Sequence, residues 1–541
     1  MRKPLASALT VLLLSVFHPA WSQPSPLIVD QGRADRAPAR PTTEEPDIAP
    51  PPADVGVTKI EPFVLKSVRI RGSSLAPDVL GIAAKPFIGK TVAAKDLQEI
   101  ANAVSRAYAD RGDVAFYTVV VPKQDFADGA LDLSVAEGYI EHVDLGGDTG
   151  GRLELVTGFA AQLMSERPLR RSTFQRYISL IRDIPGLTAD AKLMRGSAVG
   201  AVRLLLVIKQ RDWRVALSAD DMGSNPLGRV QTQTKASLYG LLREGEETSL
   251  VVGLPIEAGR FQYLALSEAQ PLDDNGTQAQ AAFGYLRTRP RHPSPSGDAG
   301  TLQFLVSHPL LRSYDESLYV SGSVDAIDST NATLGEIVAN ERIRALRLAT
   351  AYIVDAANSA FSLGASMNFG LNIFGARTTD PRTAETGFKK FVLRASYDRL
   401  LDTEWIARLR AATQLALCRL PVSELYAVGG ENFGRAFPSA SAFGDSALAG
   451  SAELAYRPQG LPGIVNGSEV FGFAEEGGTW YRARSGSPPR DFRLASAGFG
   501  VRIRLRTETQ LEISAANGIA AVSPGVSPGK WHIGFRLTTA R

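Results

Sequence analysis

The sequence predicts a sixteen-stranded antiparallel transmembrane β-barrel preceded by two α+β domains, and three observations carry that prediction. An export signal opens the chain. A mixed helix-and-strand pattern occurs twice between residues 61 and 209, and from residue 210 onward short alternating segments replace the helical period. The 541 residues are too many for one ordinary soluble domain, and 44% hydrophobic residues are too many for a disordered chain. A near balance of 59 Lys+Arg against 56 Asp+Glu argues against a dedicated nucleic-acid binder, so no nucleic acid is expected as a partner. The single cysteine, Cys418, excludes an intramolecular disulfide framework and a cysteine-based structural zinc site.

Residues 1–22 read as a signal peptide: Arg2 and Lys3, an apolar stretch from Leu5 to Phe17, then Ala20-Trp21-Ser22 before Gln23. Residues 23–60 are a Pro-rich linker, with Pro24, Pro26, Pro38, Pro41, Pro46 and Pro50-Pro51-Pro52, in which Leu27–Arg36 has room for only a short helix. In residues 61–138 a strand is expected over 63–70, helices over 76–84 and 93–111, and strands over 115–121 and 130–136. The longer helix puts Leu97, Ile100, Ala101, Val104 and Tyr108 on one face, with Gly112 where a C-terminal cap belongs. Residues 139–209 repeat the pattern: a strand over 139–145, helices over 151–165 and 172–183, strands over 187–194 and 201–208.

From residue 210 to 541, sixteen candidate strands run from 213–221 to 529–538. Among them are 300–308, 315–326, 404–417, 446–457, 468–480 and 492–503. Phe499-Gly500-Val501-Arg502-Ile503-Arg504-Leu505-Arg506 is apolar on one face and Gly or Arg on the other, and Trp531–Thr538 alternates in the same way. Alternation alone leaves open whether the apolar face meets a protein core or lipid. The arginine rows and the even strand number favour a barrel with a wet lumen and outer-membrane lipid outside. Only helices and closed barrels satisfy the backbone in lipid, and no further helical span is present in the sequence.

Val121-Pro122-Lys123-Gln124-Asp125, Gly129-Ala130-Leu131 and Val135-Ala136-Glu137-Gly138 resemble the first POTRA domain of two-partner secretion transporters, the outer-membrane proteins that export hemolysins and filamentous adhesins. Ile184-Pro185-Gly186-Leu187 resembles the end of the second POTRA helix, and His308-Pro309-Leu310-Leu311-Arg312-Ser313 a barrel signature of that family. Gly434-Arg435-Ala436-Phe437 is similar to its loop between barrel strands 11 and 12. Phe473-Ala474-Glu475-Glu476-Gly477 is similar to its Phe-x-Asp-x-Gly element in strand 13, with Glu475 at the aspartate position. The independent strand count puts both motifs in those places.

The resemblance implies POTRA domains at 61–138 and 139–209 on the periplasmic side of an outer-membrane barrel at 210–541. It further implies export of an unfolded exoprotein bearing an N-terminal secretion domain, by a monomer without cofactor. It also implies that Arg435 and Phe437 on the loop meet Phe473 and Glu475 on strand 13. Alternation by itself is less comfortable with Glu475, which it puts on the same face as Phe471 and Phe473, and would turn those phenylalanines to lipid and Glu476 to the lumen. Two other functions fit less of the pattern: an assembly factor that inserts other barrels, and a soluble β-rich binding protein. No enzyme is expected. The five histidines are scattered without ligand spacing, and Gly525-Val526-Ser527-Pro528-Gly529 reads as a hairpin connection and not a strand-to-helix nucleophile turn.

Overall fold

The computed structural model describes residues 54–55, 60–147, 153–223, 227–257, 259–290, 296–333, 336–430, 433–485, 488–505, 508–523 and 527–541. The expected signal peptide, the Leu27–Arg36 helix and most of the linker lie outside the described residues, whereas Asp54–Val55, expected within the linker, instead pairs in parallel with Val120–Val121 and adds a strand to the first sheet.

The first α+β repeat runs β1 (Asp54–Val55), β2 (Phe63–Val64), β3 (Ser67–Arg71), α1 (Pro77–Ala84), β4 (Thr91–Val92), α2 (Ala94–Arg111), β5 (Tyr117–Val121) and β6 (Ala130–Glu137). Its sheet order is β1-β5-β6-β3, while β2 pairs with β4. The single strand expected over 63–70 is therefore two. The Leu65 amide donates to the Lys90 carbonyl at 3.0 Å and the Lys66 amide to the Gly129 carbonyl at 2.7 Å, so the chain changes partner between them. The Asp96 carboxylate accepts the Ala93 amide at 2.7 Å and satisfies a free donor at the start of α2. The apolar face of that helix, from Leu97 to Tyr108, is buried. Gly112 ends it with φ −92°, an extended conformation that makes no use of glycine's left-handed range.

The second repeat comprises β7 (Tyr139–Gly147), α3 (Glu154–Ser165), α4 (Arg171–Arg182), β8 (Leu187–Arg195) and β9 (Ala201–Gln210), with sheet order β7-β9-β8. The repeats are joined more closely than two beads on a string. Ala115 and Phe116 of the first belong to the apolar core of the second. The Asp113 carboxylate accepts both the amide and the hydroxyl of Ser172, at 3.0 and 2.6 Å, and so caps α4 from the neighbouring repeat.

Sixteen strands close the barrel. They are β10 (Trp213–Asp220), β11 (Gln231–Tyr239), β12 (Glu247–Pro255), β13 (Phe261–Pro271), β14 (Gln278–Thr288), β15 (Ser296–Arg312), β16 (Glu316–Thr333) and β17 (Glu336–Ala356). The circuit continues with β18 (Ser359–Gly370), β19 (Lys389–Leu400) and β20 (Trp405–Ala416). Two short strands, β21 (Tyr426–Val428) and β22 (Ala442–Gly444), form a separate hairpin. β23 (Ser446–Tyr456), β24 (Glu469–Tyr481), β25 (Arg490–Leu505), β26 (Thr509–Val522) and β27 (Trp531–Ala540) complete it, and β27 pairs back onto β10. The outer face is apolar: Leu302, Phe304 and Val306 on β15, Phe499 and Val501 on β25, and Trp531 and Ile533 on β27 are exposed. The alternate residues point inward and are polar or small, as a wall between lipid and a polar lumen requires.

β15 runs past Pro309, where the sequence suggests a stop. Its ladder with β14 ends at Gln278↔Ser307, so the proline's missing amide removes no bond on that side. Residues Arg312–Tyr314 group with the α+β unit that ends at Gln210, and Arg211–Leu311 with Asp315–Arg541 form the barrel unit.

Candidate luminal lock

The segment between β20 and β23 folds into the barrel. Its contacts are with inward-facing residues of strands on different parts of the wall, which is possible only from inside. At its base, Glu424 is fully buried. Arg347 of β17 donates to its carboxylate at 2.8 and 3.2 Å, and Lys390 of β19 reaches it at 2.8 Å. Arg347 is also paired with Asp325 of β16 and donates to the Asn368 amide oxygen of β18 at 3.0 Å. Gln414 of β20 donates to the carbonyls of Glu424 and Asp445, at 3.1 and 3.0 Å. Asp445 takes a two-pronged pair from Arg484, at 2.8 and 2.9 Å, and accepts the Leu420 amide at 2.7 Å. Buried carboxylates with this many donors are fully compensated, so the base is a rigid staple.

The tip carries Arg435. Its backbone amide donates to Glu475 Oε1 at 2.5 Å, while its guanidinium stands 3.5 Å from both Glu475 and Glu453 and 4.1 Å above the Phe473 ring. Glu475 also accepts the Ser496 hydroxyl at 2.7 Å. The tip is thus held by one short amide bond, two looser charge contacts and the ring contact, and just beyond it the Ser439 hydroxyl donates to the Met222 carbonyl at 2.7 Å and the Ser441 carbonyl accepts the Ser523 hydroxyl at 2.6 Å. Phe437 is buried with Tyr426, Val428 and Leu494. It fits because β26 has Gly518 opposite, where a β-carbon would stand 2.7 Å from its Cζ. β25 makes room in the same way: β-carbons at Gly498 and Gly500 would stand 2.8 and 2.6 Å from the Cζ atoms of Phe473 and Phe471. Gly429 and Gly430, with φ of 116° and 65°, supply the left-handed turn that sends the chain back from the tip.

Below the tip lies a belt of charges. Arg408 of β20 reaches Glu453 of β23 at 2.7 Å and Glu469 of β24 at 2.9 Å. Arg502 of β25 pairs with both of these and with Glu512 of β26, the last at 2.8 Å. Arg457 lies 3.6 Å from Glu469. Arg435 docks into this belt through Glu453.

The structure brings Arg435, Phe473 and Glu475 together, while Phe437, two residues on, packs in a neighbouring cluster with Tyr426, Val428 and Leu494. Glu476 points outward and pairs with Arg493 on the outer wall. Of the POTRA-motif residues, Glu137 accepts the Ser74 amide and hydroxyl at 2.6 and 2.8 Å and the Tyr108 hydroxyl at 2.7 Å, tying β6 to α2. Burial pushes the Tyr108 phenol well above its ordinary range. The Gln124 side chain extends the sheet, giving and taking bonds with Asp132 backbone at 2.8 and 2.7 Å, and accepts its place after Pro122, to whose carbonyl it donates at 3.2 Å. Gly129 and Gly186 occupy left-handed turns, with φ of 75° and 76°, and Pro185 opens the second. Gly138 lets two backbones meet, since a β-carbon there would stand 2.6 Å from Phe116 Cβ.

His308 bonds Thr277 at 2.9 Å on the barrel, whereas Arg312 is bidentate on Asp183 within the α+β unit, at 2.7 and 2.9 Å. Sequence reasoning missed Glu424, Arg347, Lys390 and the partners Glu453, Glu469 and Glu512. Inward parity marks the strand residues, but nothing in Val422-Ser423-Glu424 signals a buried anchor.

Two family models match the chain. The ShlB-type POTRA domain matches residues 63–138, and the haemolysin secretion/activation protein ShlB/FhaC/HecB family matches residues 204–503. The chain is 24% identical over 268 residues to the heme/hemopexin transporter protein HuxB of Haemophilus influenzae. That alignment covers 46% of this chain and 46% of the relative, so it reaches about half the length of either. Among solved structures, CdiB from Escherichia coli has a TM-score of 0.72 at 16% identity, covering 100% of this chain and 99% of that one. CdiB from Acinetobacter baumannii has a TM-score of 0.63 at 16% identity, covering 90% and 91%. BamA from Haemophilus ducreyi lacking POTRA domains 1–3 has a TM-score of 0.52 at 12% identity, covering 88% and 100%. At such identities these likenesses show the fold. The sixteen-stranded barrel and the ShlB-type POTRA match place the protein in the outer membrane with its POTRA domains in the periplasm. The chain belongs to the haemolysin secretion/activation protein ShlB/FhaC/HecB family.

Proposed function

We propose that this protein captures an unfolded exoprotein in the periplasm through the exoprotein's N-terminal secretion domain and passes it through the barrel to the cell surface. The observation that carries this reading is the luminal segment, stapled at its base by the close ion pairs of Glu424 and Asp445, whereas at its tip Arg435 meets its carboxylates only at 3.5 Å, beside one amide bond, a ring contact with Phe473 and two hydroxyl hydrogen bonds at Ser439 and Ser441. Such a tip can let go while the base holds, which opens a path without unfolding the wall. The POTRA sheets supply a capture surface. β3, β7 and β8 end their sheets, and an extended client can add to an edge by main-chain hydrogen bonds that tolerate any sequence. That the relative HuxB is a heme/hemopexin transporter protein supports the same direction.

The test is secretion of the cognate exoprotein with barrel levels monitored. Glu475→Ala should reduce it at least as much as Arg435→Ala, because only the former also removes the acceptor of the Arg435 amide. Glu476→Ala should leave secretion unchanged. Normal secretion in Glu475→Ala, or a defect confined to Glu476→Ala, would overturn the role of the lock. Absence of binding between the full-length protein in detergent and the exoprotein's secretion domain at high micromolar concentration would overturn capture.

A further inference from the structure

The barrel's outer wall carries a feature that export does not use. β16 and β17 extend well past their neighbours at the end of the barrel opposite the chain's entry at Trp213. With sixteen strands the two ends of the barrel segment share one side, so the far end is the cell-surface end. The outward residues of β16 run Leu318, Val320, Gly322, Val324, Ala326 and then Asp328, while Leu348 and Leu346 of β17 are followed by Arg344 and Arg342. Nine residues from Leu318 to Ala326 match the length a tilted strand needs to cross the hydrocarbon. Asp328, Arg344 and Arg342 therefore stand at the first polar step beyond it, the height of the outer-leaflet headgroups.

Backbone pairing brings three arginines alongside one another there. Arg344 donates to Asp328 at 2.6 Å and is further fixed by the Ile343 carbonyl at 2.9 Å. Arg342 lies 3.7 Å from the same aspartate and exchanges backbone hydrogen bonds of 2.8 and 2.9 Å with Arg377. Arg377 spends its side chain on a neutral partner, the Asn340 amide oxygen, at 2.9 Å. Asp328 thus answers two of the three cations. The turn that brings Arg377 alongside β17 also projects Ile373 and Phe374, which are 46% and 82% exposed. Phe374 sits at φ 49°, a left-handed conformation that is costly for a bulky residue. The chain accepts that cost to hold an aromatic ring outside, beside Arg342, whose Nη1 would lie 3.7 Å from a β-carbon at Gly375. An exposed aromatic next to adjacent arginines at headgroup height complements one class of molecule, which has both acyl chains and phosphate.

We infer that Arg342, Arg344 and Arg377, with Ile373 and Phe374, form a binding site for the phosphorylated glycolipid of the outer leaflet. Guanidiniums pair with its phosphates in two-pronged fashion, and the two apolar side chains lie along its acyl chains. The inference rests on the outer-membrane location and is independent of export.

Full-length protein in detergent, titrated with bisphosphorylated lipid A and followed by native mass spectrometry, tests it. Bound lipid A should be retained by the wild type and weakened at least tenfold in the double variant Arg342→Gln/Arg377→Gln. Phe374→Ser should weaken it several-fold. Dephosphorylated lipid A should bind the wild type no better than bisphosphorylated lipid A binds the double variant. Equal binding of bisphosphorylated lipid A by wild type and double variant, both with the same heat-modifiable mobility, would overturn the site. Equal binding of phosphatidylglycerol would overturn the assignment to the outer-leaflet glycolipid. A secretion defect in Glu475→Ala has no bearing on either result, so the two proposals fail separately.

Discussion

A single methyl group can decide whether the lock closes. Gly498 and Gly500 face the rings of Phe473 and Phe471 at distances that leave no space for a side chain. Gly498→Val should press on both Phe473 and the Ala515 carbonyl, which would lie 2.1 Å from the new β-carbon, and cost about 1–3 kcal/mol, seen as a lower temperature for the heat-modifiable transition. An unchanged transition would show that the ring has another place to go. Glu453 serves Arg408, Arg435 and Arg502 at once. Glu453→Ala should therefore destabilise the barrel by about 3–5 kcal/mol, through cations left buried without a partner. Glu453→Gln should recover little of it, because the amide carries no charge. Arg435→Lys keeps the charge and loses the flat face over Phe473, so secretion should be only partly restored relative to Arg435→Ala.

Whole strands obey a simpler rule, that each face answers to one solvent. Val501 points to lipid and Arg504 to the lumen, three residues apart on β25. Val501→Arg should cost about 2–4 kcal/mol if its level is near the midplane, and Arg504→Gln much less, measured by equilibrium unfolding from lipid vesicles. Equal costs would remove the lipid-facing assignment.

The same rule explains what the sequence could reveal. Sixteen strands were legible because a period of two repeats along segments of eight residues or more, with Phe499–Arg506 the plainest. The hairpin β21–β22 was not. Three residues a side are too few to show a period, and Tyr426, Ala427 and Val428 are all buried because wall and hairpin cover both faces. Parity also explains the Glu475–Glu476 ambiguity. The phenylalanines beside Glu475 face inward because glycines on β25 leave room for them, a fact held by the neighbouring strand and invisible in β24 itself. The partners of Arg502 were hidden for a like reason, since cross-strand register fixes them. Composition does not state register.

At the scale of the whole molecule, the circuit has one weak join. The β10–β27 ladder runs only from Ala216↔Ala540 to Asp220↔Arg536, shorter than either flanking ladder. Beyond it Asp221 accepts the Phe535 amide at 2.9 Å, which clips the strands together at the rim. Ser218 and Thr538 face each other where the strands do not exchange hydrogen bonds, a spacing suited to a disulfide. Ser218→Cys with Thr538→Cys should cross-link under oxidation, and secretion should persist if cargo travels through the lumen. Its loss on oxidation, with recovery on reduction, would show that the wall must open.

The luminal segment has a further consequence because both of its ends are tethered, at Ala416 and Ser446. It is an intramolecular ligand, and its effective concentration at the wall is of millimolar order whatever the protein's abundance. Any cargo must displace a competitor that never diffuses away. A peptide with ordinary weak affinity for the lumen therefore loses, and a long chain gains only by occupying many positions in succession. Release also resets the barrel at once, since the segment returns in a first-order step when the last of the cargo has left.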